Sequence, residues 1–366
     1  VVGKAPGETA AETTAAEATT KAAPENTTTA TTKAAPAVLD TPAHVVTAGS
    51  HEASNSSTPA PQPSTAAADS TQSTASTADI RQPEVAAEGA VLLNAATGEV
   101  LYGKNQDQQF YPASITKVMT ALVVLEHCNL NETVTFSETA TTNLESGAVA
   151  LGVSAGDQLT VEQSLYGLLL KSANEIGNGL AEHVSGSVSA FADLMNAKAK
   201  ELGCKNTHFA NPHGLNNENH KTTPYDMALI LRAAMENDLC REVLNARKYE
   251  TAPTEYHPDG QVLSNWFLRR IEDRFPGDFQ IIGAKTGYVV ESGNCAASCG
   301  ETADGRRYIC VTADAYSSWR AIYDHVALYK TYCSPADDTT EDGGAADPLV
   351  EPVAPTIKDT TEHESG

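Results

Sequence analysis

Three short groups of residues carry the side-chain types that a serine hydrolase needs. They are Ser114-Ile115-Thr116-Lys117, Ser172-Ala173-Asn174 and Lys285-Thr286-Gly287, in that order along the chain. Each group alone is a weak signal, because short motifs of this kind occur by chance in unrelated chains. Their joint order indicates a single active site built around a nucleophilic serine.

The first group supplies a candidate nucleophile and its base. A serine hydroxyl attacks when a neighbouring base takes its proton, and a lysine one helical turn away lies on the same helix face. We therefore predict that Ser114 is the nucleophile and Lys117 the base. An ordinary lysine is neutral in only about one molecule in 2,500 at pH 7, a handicap of about 4–5 kcal/mol. The site must lower the pKa of Lys117, which burial and a second cation, Lys285, would do.

The second group supplies two polar side chains whose roles the residues alone leave open. We expect Ser172 to relay the proton between Lys117 and the leaving amine. Asn174 either bonds the substrate backbone or orients the Lys117 amine. Both alternatives place Asn174 in the catalytic site.

The residues around the three groups resemble the low-molecular-mass penicillin-binding proteins, which are serine-type D-alanyl-D-alanine carboxypeptidases. The resemblance rests on residues 112–121, 168–175, 206–215 and 283–288, and it extends from about Glu88 to Tyr332. It implies an α/β (α+β) fold of the β-lactamase and DD-peptidase kind. In that fold an antiparallel sheet is flanked by helices and joined by a helical lobe.

The resemblance also implies a reaction and its binding residues. Ser114 would attack the terminal D-Ala-D-Ala bond of a peptidoglycan stem pentapeptide, D-Ala would leave, and water would hydrolyse the acyl-enzyme. Penicillins would acylate the same serine. The backbone N–H groups of Ser114 and Tyr288 would hold the developing oxyanion, Lys285 and Thr286 the terminal carboxylate, and Gly287 would permit close approach. We expect no cofactor and no metal.

Two other functions are compatible with this fold. A β-lactamase carries a Glu-x-x-Leu-Asn loop, whereas Arg241 to Asn245 places Glu242 one residue out of register. Its second motif reads Ser-Asp-Asn, whereas this chain reads Ser-Ala-Asn. A catalytically silent wall-binding or β-lactam-sensing module would be expected to have lost Ser114, Lys117 or Lys285, and all three are present. Carboxypeptidase, endopeptidase and transpeptidase activities share these residues, so the choice among them stays open.

Hydrophobic periodicity and capping signals predict the elements that position these groups. We expect an antiparallel sheet formed by an early hairpin and three late strands, at residues 90–93, 100–102, 281–286, 294–301 and 307–313. Ser114 should lie near the start of a helix that continues to residue 125. Further helices should begin at Thr160, with Gln163 completing a capping box, and at Thr223, ending near Asn237. Another should cover residues 189–202.

Composition divides the chain into three parts. Residues 1–84 are rich in Ala, Thr, Ser and Pro and lack Phe, Tyr, Trp and Cys, so we predict a disordered linker. Residues 85–333 form the predicted DD-peptidase catalytic domain, and residues 334–366 an acidic, disordered tail.

The net charge of the chain and its lack of a long apolar run indicate which partners and which location to expect. The formal net charge of -23 argues against broad binding of nucleic acid or anionic lipid. The sequence contains neither an 18-residue apolar run nor a signal peptide, and we expect that a segment before Val1 supplied a membrane or wall tether. We therefore expect an extracytoplasmic location, in the cell wall or on the outer face of the bacterial cytoplasmic membrane.

The seven cysteines, an odd number, leave at least one thiol without an intrachain partner. If Asp304-Gly305 were a two-residue hairpin turn, Cys299 would lie opposite Cys310, in a register that would allow a strained cross-strand disulfide. No cysteine spacing resembles that of zinc ligands.

The remaining titratable residues receive structural interpretations. His208 and His213 belong to a turn-rich Asn-Pro-His-Gly loop, and we expect both to be structural. Asp226 and Glu175 are explained by their positions in the first turns of helices. The other single histidines of the catalytic part receive no role, namely His183, His220, His257 and His325.

Overall fold

The computed structural model describes residues 82–142, 144–251, 253, 257–275 and 278–333. The predicted linker over 1–84 falls outside these residues except for its last three positions. The predicted acidic tail over 334–366 falls wholly outside them. The three domain boundaries therefore remain predictions.

A five-stranded antiparallel sheet runs through the described part of the chain. Its strand order is β2-β1-β9-β8-β7, so early and late strands meet where β1 pairs with β9. The strands are β1 (Gly89–Asn94), β2 (Val100–Lys104), β7 (Phe279–Val289), β8 (Gly293–Thr302) and β9 (Arg307–Ala315). The predicted antiparallel sheet, its early hairpin and its three late strands are confirmed.

Helices cover both faces of this sheet and form a lobe beside it. The helices are α1 (Lys117–His127), α2 (Glu138–Thr142), α3 (Val161–Tyr166), α4 (Asn174–Ser185), α5 (Val188–Glu201), α6 (Pro224–Glu236), α7 (Asp238–Asn245), α8 (Leu268–Ile271) and α9 (Ser318–Tyr332). Two small two-stranded antiparallel sheets pair β3 (Thr133–Thr135) with β4 (Gln158–Thr160) and β5 (Lys248–Glu250) with β6 (Val262–Ser264). No helix in the described ranges is long and apolar enough to cross a lipid bilayer.

The helix boundaries follow the capping signals read from the sequence. The Thr160 hydroxyl accepts from the Gln163 backbone N–H and the Gln163 side chain accepts from the Thr160 N–H, which completes the predicted capping box of α3. Thr223 caps α6, Pro224 is its first residue and Asn237 follows its end. These local hydrogen bonds satisfy N–H groups that the first helical turn leaves free.

The sheet separates two hydrophobic cores. Val91 and Leu93 point into a large core shared with α1 and α6, whereas the alternate residues Ala90 and Leu92 point into a second core under α8 and α9. This alternation follows from the two-residue period of a strand. β9 is buried on both faces, as its continuous apolar run predicts. The sheet is therefore the rigid support on which the site is built.

The turn between β8 and β9 differs from the sequence prediction. The Thr302 N–H donates to the Arg306 carbonyl at 3.0 Å, so three residues rather than two connect the strands, and Gly305 adopts a φ of 83°. The pairing register shifts by one, and Cys310 lies opposite Ser298. A one-residue shift moves a side chain to the other face of a sheet. Cys299 and Cys310 accordingly lie in different cores, and all seven cysteines are free thiols. The register that would bring these two sulfurs together was wrong.

Candidate active site

Ser114 lies on a 3₁₀ turn, Ala113–Thr116, that leads directly into α1. The preceding residue, Ala113, has a φ of 47°, a left-handed conformation that costs a non-glycine residue about 1–3 kcal/mol. Gly214 packs against this turn so closely that an added Cβ would lie 1.8 Å from the Ala113 carbonyl oxygen. The loop predicted from the resemblance thus packs against the strained Ala113 and thereby positions the serine that follows it.

Lys117 begins α1 and is fully buried. Its Nζ lies 2.8 Å from the Ser114 Oγ, 2.8 Å from the Asn174 Oδ1 and 2.7 Å from the His213 carbonyl oxygen. Two of these partners can only accept hydrogen bonds. A neutral amine that donates both protons to them therefore directs its lone pair at the Ser114 hydroxyl, the one partner that can donate.

The surroundings of Lys117 favour that neutral amine. Burial, followed by the positive charge of Lys285, holds the pKa of Lys117 well below its usual value, against a smaller opposing effect of Glu175. Burial also lowers the pKa of Lys285 from 10.5 to about 7. The two shifts share one physical cause, the poor solvation of an ammonium group in a closed site.

Ser172 and Asn174 are positioned by an irregular helix end. After α3 the chain makes one π-helical turn, Gly167–Lys171, and Ser172 then adopts a left-handed φ of 66°. The Asn174 Nδ2 and backbone N–H both donate to the Val149 carbonyl at 2.9 Å, which turns the side-chain oxygen toward Lys117. The amide therefore orients the Lys117 amine, one of the two roles left open by the sequence.

The third group lies on β7, the edge strand beside the serine. The Lys285 Nζ donates to the Ser172 Oγ at 3.0 Å and to the Thr286 carbonyl at 2.8 Å, which links the second and third groups. A Cβ added to Gly287 would lie 2.6 Å from the Ser114 backbone nitrogen. Only a residue without a side chain permits this approach.

The free edge of β7 determines which backbone groups face the serine. The Ala284 carbonyl accepts from the Asn265 side chain at 3.0 Å rather than from β8, so it points away from the sheet. Along a regular antiparallel strand, the backbone N–H and C=O groups of successive residues point alternately to one edge of the strand and to the other. Tyr288, four residues further on, therefore presents its N–H to the same free edge.

A single cleft of about 990 Å³ collects most of the predicted site residues. Its lining includes Ser114, Ser172, Asn174, Thr286, Gly287 and Tyr288. Lys117 and Lys285 are buried and touch the two cleft serines. The three sequence groups thus meet at one place.

The cleft also contains residues that carried no signal in the sequence. Trp266, Arg270 and Trp319 line it, and the Arg270 guanidinium carbon lies 4.2 Å from the centre of a Trp266 ring. The backbone carbonyls of Val149 and His213 complete the contacts of Asn174 and Lys117. A carbonyl acceptor is independent of residue type, so no sequence motif could reveal it.

Two residues given a structural role or no role, Glu175 and His220, prove to support the site from below. The Glu175 Oε1 accepts from the Leu151 and Gly152 backbone N–H groups at 2.5 and 2.9 Å, which anchors the loop that contains Val149. The His220 Nδ1 accepts from the Ala210 N–H, so its Nε2 donates to the Thr116 hydroxyl at 2.8 Å. Burial lowers the pKa of His220 to about 3, which keeps this imidazole neutral.

The glutamate relevant to the β-lactamase alternative lies elsewhere. Glu242 is on α7 and lines a separate cavity of about 460 Å³ together with Arg241, Glu301 and Arg307. Among the described residues that line the serine cleft, Glu242 is absent. It therefore occupies no position from which it could activate water beside Ser114.

Known proteins provide an independent comparison. The chain is 34% identical over 216 residues to D-alanyl-D-alanine carboxypeptidase DacF of Bacillus subtilis, which covers 57% of this chain and 52% of that protein. It is 35% identical over 209 residues to D-alanyl-D-alanine carboxypeptidase DacB2 of Mycobacterium tuberculosis, and the match covers 57% of this chain and 68% of that protein. The chain thus spans about half the length of the Bacillus subtilis relative.

Solved structures agree with the sequence comparison. A crystal structure of D-alanyl-D-alanine carboxypeptidase from Mycobacterium tuberculosis superposes with a TM-score of 0.62 at 28% identity, covering 70% of this chain and 94% of that one. A variant of the Streptomyces K15 DD-transpeptidase superposes with a TM-score of 0.63 at 29% identity, covering 68% of this chain and 98% of that one. These matches confirm the predicted fold class. A sequence profile of the family described as D-alanyl-D-alanine carboxypeptidase matches residues 75–317, so this chain belongs to that family.

Proposed function

We propose that this protein is a serine-type D-Ala-D-Ala carboxypeptidase that removes the terminal D-Ala from peptidoglycan stem pentapeptides. The observation that carries the proposal is the 2.8 Å separation between the Lys117 Nζ and the Ser114 Oγ in a buried site where burial and the neighbouring Lys285 favour a neutral Lys117 amine. Family membership and the names of the relatives support the same reaction.

Acylation begins with proton transfer from Ser114 to Lys117. As the serine oxygen attacks the carbonyl carbon of the D-Ala-D-Ala bond, its proton passes to the neutral Lys117 amine. The N–H groups of Ser114 and Tyr288 would hold the oxyanion, since both lie at the free edge of β7. Their closeness across Gly287 supports this assignment.

Release of D-Ala requires a proton at the leaving nitrogen. The Ser172 hydroxyl accepts from the Lys285 Nζ, so its own hydrogen remains available to the leaving amine. Ser172 then recovers a proton from the Lys117 ammonium, which restores the neutral base. Water attacks the acyl ester with Lys117 as base again, and the proton returns to the Ser114 oxygen.

Recognition of the terminal carboxylate combines a hydroxyl with positive charge. Thr286 lines the cleft and supplies the hydroxyl donor, while Lys285 supplies charge from beneath it. Arg270 adds a partly exposed guanidinium on the same wall. This arrangement favours a substrate that ends in a free carboxylate, as an exopeptidase requires.

The substrate class also determines where the protein acts and what inhibits it. Peptidoglycan stem peptides lie outside the cytoplasmic membrane, and we propose that the enzyme acts there, with the predicted linker over residues 1–84 as its tether. β-Lactams, which present an acylating carbonyl and a carboxylate, would react at Ser114. The net charge of -23 argues against nucleic acid as a partner.

A mass-spectrometric assay tests the reaction. The full chain should release D-Ala from a D-Ala-D-Ala pentapeptide and form a stable penicillin adduct, and Ser114→Ala should abolish both. Ser189→Ala removes an exposed hydroxyl on α5 and should change neither.

Other outcomes distinguish the alternatives. An adduct without D-Ala release would refute peptidase activity and favour a sensing module, and rapid turnover of penicillin would favour a β-lactamase. A parallel reaction with an acceptor amine separates hydrolysis from transpeptidation, since transfer without hydrolysis would also refute the proposal.

A further inference from the structure

A cysteine, a glutamate and a histidine converge at the opposite end of α1 from the catalytic residues. The ligand atoms of Cys128, Glu132 and His183 all lie within 4.8 Å of one another. α1 has 11 residues, so this cluster lies about 16 Å from Lys117 along the helix axis. The proposed reaction does not use any of these three side chains.

We propose that Cys128, Glu132 and His183 bind a zinc ion. Thiolate, imidazole and carboxylate are the ligands that Zn²⁺ takes in proteins, and the thiolate disfavours Mg²⁺ and Ca²⁺, which prefer oxygen. The three protein ligands leave a fourth tetrahedral position for water. All three residues are partly exposed, so an ion can enter from solvent.

The glutamate is already oriented for this role. The Asn129 backbone N–H and Nδ2 both donate to the Glu132 Oε1, at 2.6 and 2.8 Å. The other oxygen, Oε2, is thereby directed at the His183 Nε2, 3.1 Å away. Hydrogen bonds that orient a ligand in this way are typical of metal sites. An ion placed between them would replace the histidine–glutamate contact with two coordinate bonds.

Two helix ends add negative potential at the same place. Cys128 follows the last residue of α1, and its N–H donates to the Val124 carbonyl at 2.9 Å. His183 lies in the last turn of α4. Each helix carries partial negative charge at its C-terminus, which favours a cation. Metal binding releases the Cys128 thiol proton to solvent, and no other chemistry is required.

The separation of the three ligands along the chain explains why no sequence motif indicated a metal site. Cys128 caps a helix, Glu132 lies in the following loop, and His183 comes 51 residues later on another helix. This spacing matches no zinc motif, and the contrary expectation of no metal came from motif spacing alone. Only the packing of α4 against the end of α1 assembles the cluster.

Titration of the full chain with Zn²⁺ and with Co²⁺ tests the site. After removal of metal by a chelator, the protein should bind one Zn²⁺ at this site, with affinity at least about 10-fold weaker in Cys128→Ser and His183→Ala. Asn129→Ala should weaken it by about 10-fold through loss of orientation. The Co²⁺ complex should show a thiolate-to-cobalt charge-transfer band that disappears in Cys128→Ser.

Matched variants make the test independent of folding and of the proposed reaction. Cys204→Ser removes another half-buried thiol, and His127→Ala removes the imidazole next to Cys128; both should bind Zn²⁺ as the wild type does. Ser114→Ala should also bind normally. The proposal is overturned if the Co²⁺ complex lacks the thiolate band, or if Cys128→Ser and the wild type, both folded by circular dichroism, bind Zn²⁺ equally.

Discussion

Replacing Lys285 by methionine should make the protein less sensitive to pH while removing its proposed activity. Lys285 is 3% exposed, and burial lowers its pKa from 10.5, the ordinary value expected in the unfolded chain, to about 7 in the fold. Because the folded pKa is the lower one, the unfolded chain binds more protons between these values. The stability of the wild type should therefore rise with pH through this window and fall as pH drops toward 7.

The size of the effect follows from the shift. A difference of about 3.5 pKa units corresponds to about 4–5 kcal/mol between the low-pH and high-pH limits. Between pH 6 and pH 9, linkage gives about 2–3 kcal/mol of this total. Lys285→Met has no such titration, although it loses two hydrogen bonds worth about 1 kcal/mol each at every pH. The burial of Lys117 is common to both proteins, whereas loss of the Lys285 charge raises the pKa of Lys117 in the variant, which acts in the same direction by making the variant still less sensitive to pH.

Guanidinium chloride unfolding at pH 6 and at pH 9 measures this difference. The wild type should gain about 2–3 kcal/mol of unfolding free energy relative to Lys285→Met as the pH rises. Lys330→Met removes an exposed amine on α9, and its stability should run parallel to that of the wild type. A constant difference between the wild type and Lys285→Met across this pH range would refute the view that burial lowers the pKa of Lys285.

Two further predictions concern the serine. Gly287→Ala places a methyl group 2.6 Å from the Ser114 nitrogen, so penicillin acylation should slow by about 10²–10³-fold as an oxyanion donor is lost. Gly177→Ala adds the same methyl at 3.4 Å from the Leu168 side chain and should acylate normally; equal rates for the two variants would contradict the assignment. Glu175→Gln removes a charge that raises the pKa of Lys117, so the acid limb of the acylation rate against pH should move to lower pH. A move to higher pH would exclude this electrostatic coupling.

Those parts of the fold that depend on local chemistry were predictable from the sequence. The capping box of Thr160 and Gln163 and the cap of α6 at Thr223 act within a few residues, and their interpretations are confirmed. The hairpin of β1 and β2 was likewise predicted, from two short apolar runs on either side of a local turn. The closeness of Ser114 and Lys117 follows from helical spacing alone, and Nζ and Oγ indeed lie 2.8 Å apart.

Features that depend on one extra residue or on distant chain segments were not predictable. The three-residue turn before β9 shifts the register, and a two-residue turn is equally compatible with Asp304-Gly305. The acceptors of Lys117 include a backbone carbonyl, which leaves no trace in residue type. The cluster of Cys128, Glu132 and His183 depends on the packing of two helices, and spacing along the chain carries no information about it.

The π-helical turn at Gly167–Lys171 interrupts the regular α-helical hydrogen bonding just before Ser172. The position of Ser172 in the cleft depends on this irregularity. Such a turn contains one residue more than an α-helix of the same rise, so a single deletion there would restore ordinary hydrogen bonding. The same deletion would rotate everything that precedes or follows it by about 100° about the helix axis. Ser172 would then leave the cleft, or the buried Leu168 to Leu170 segment would lose its core contacts. Insertions and deletions should therefore be tolerated far less well in this turn than in the loops around it.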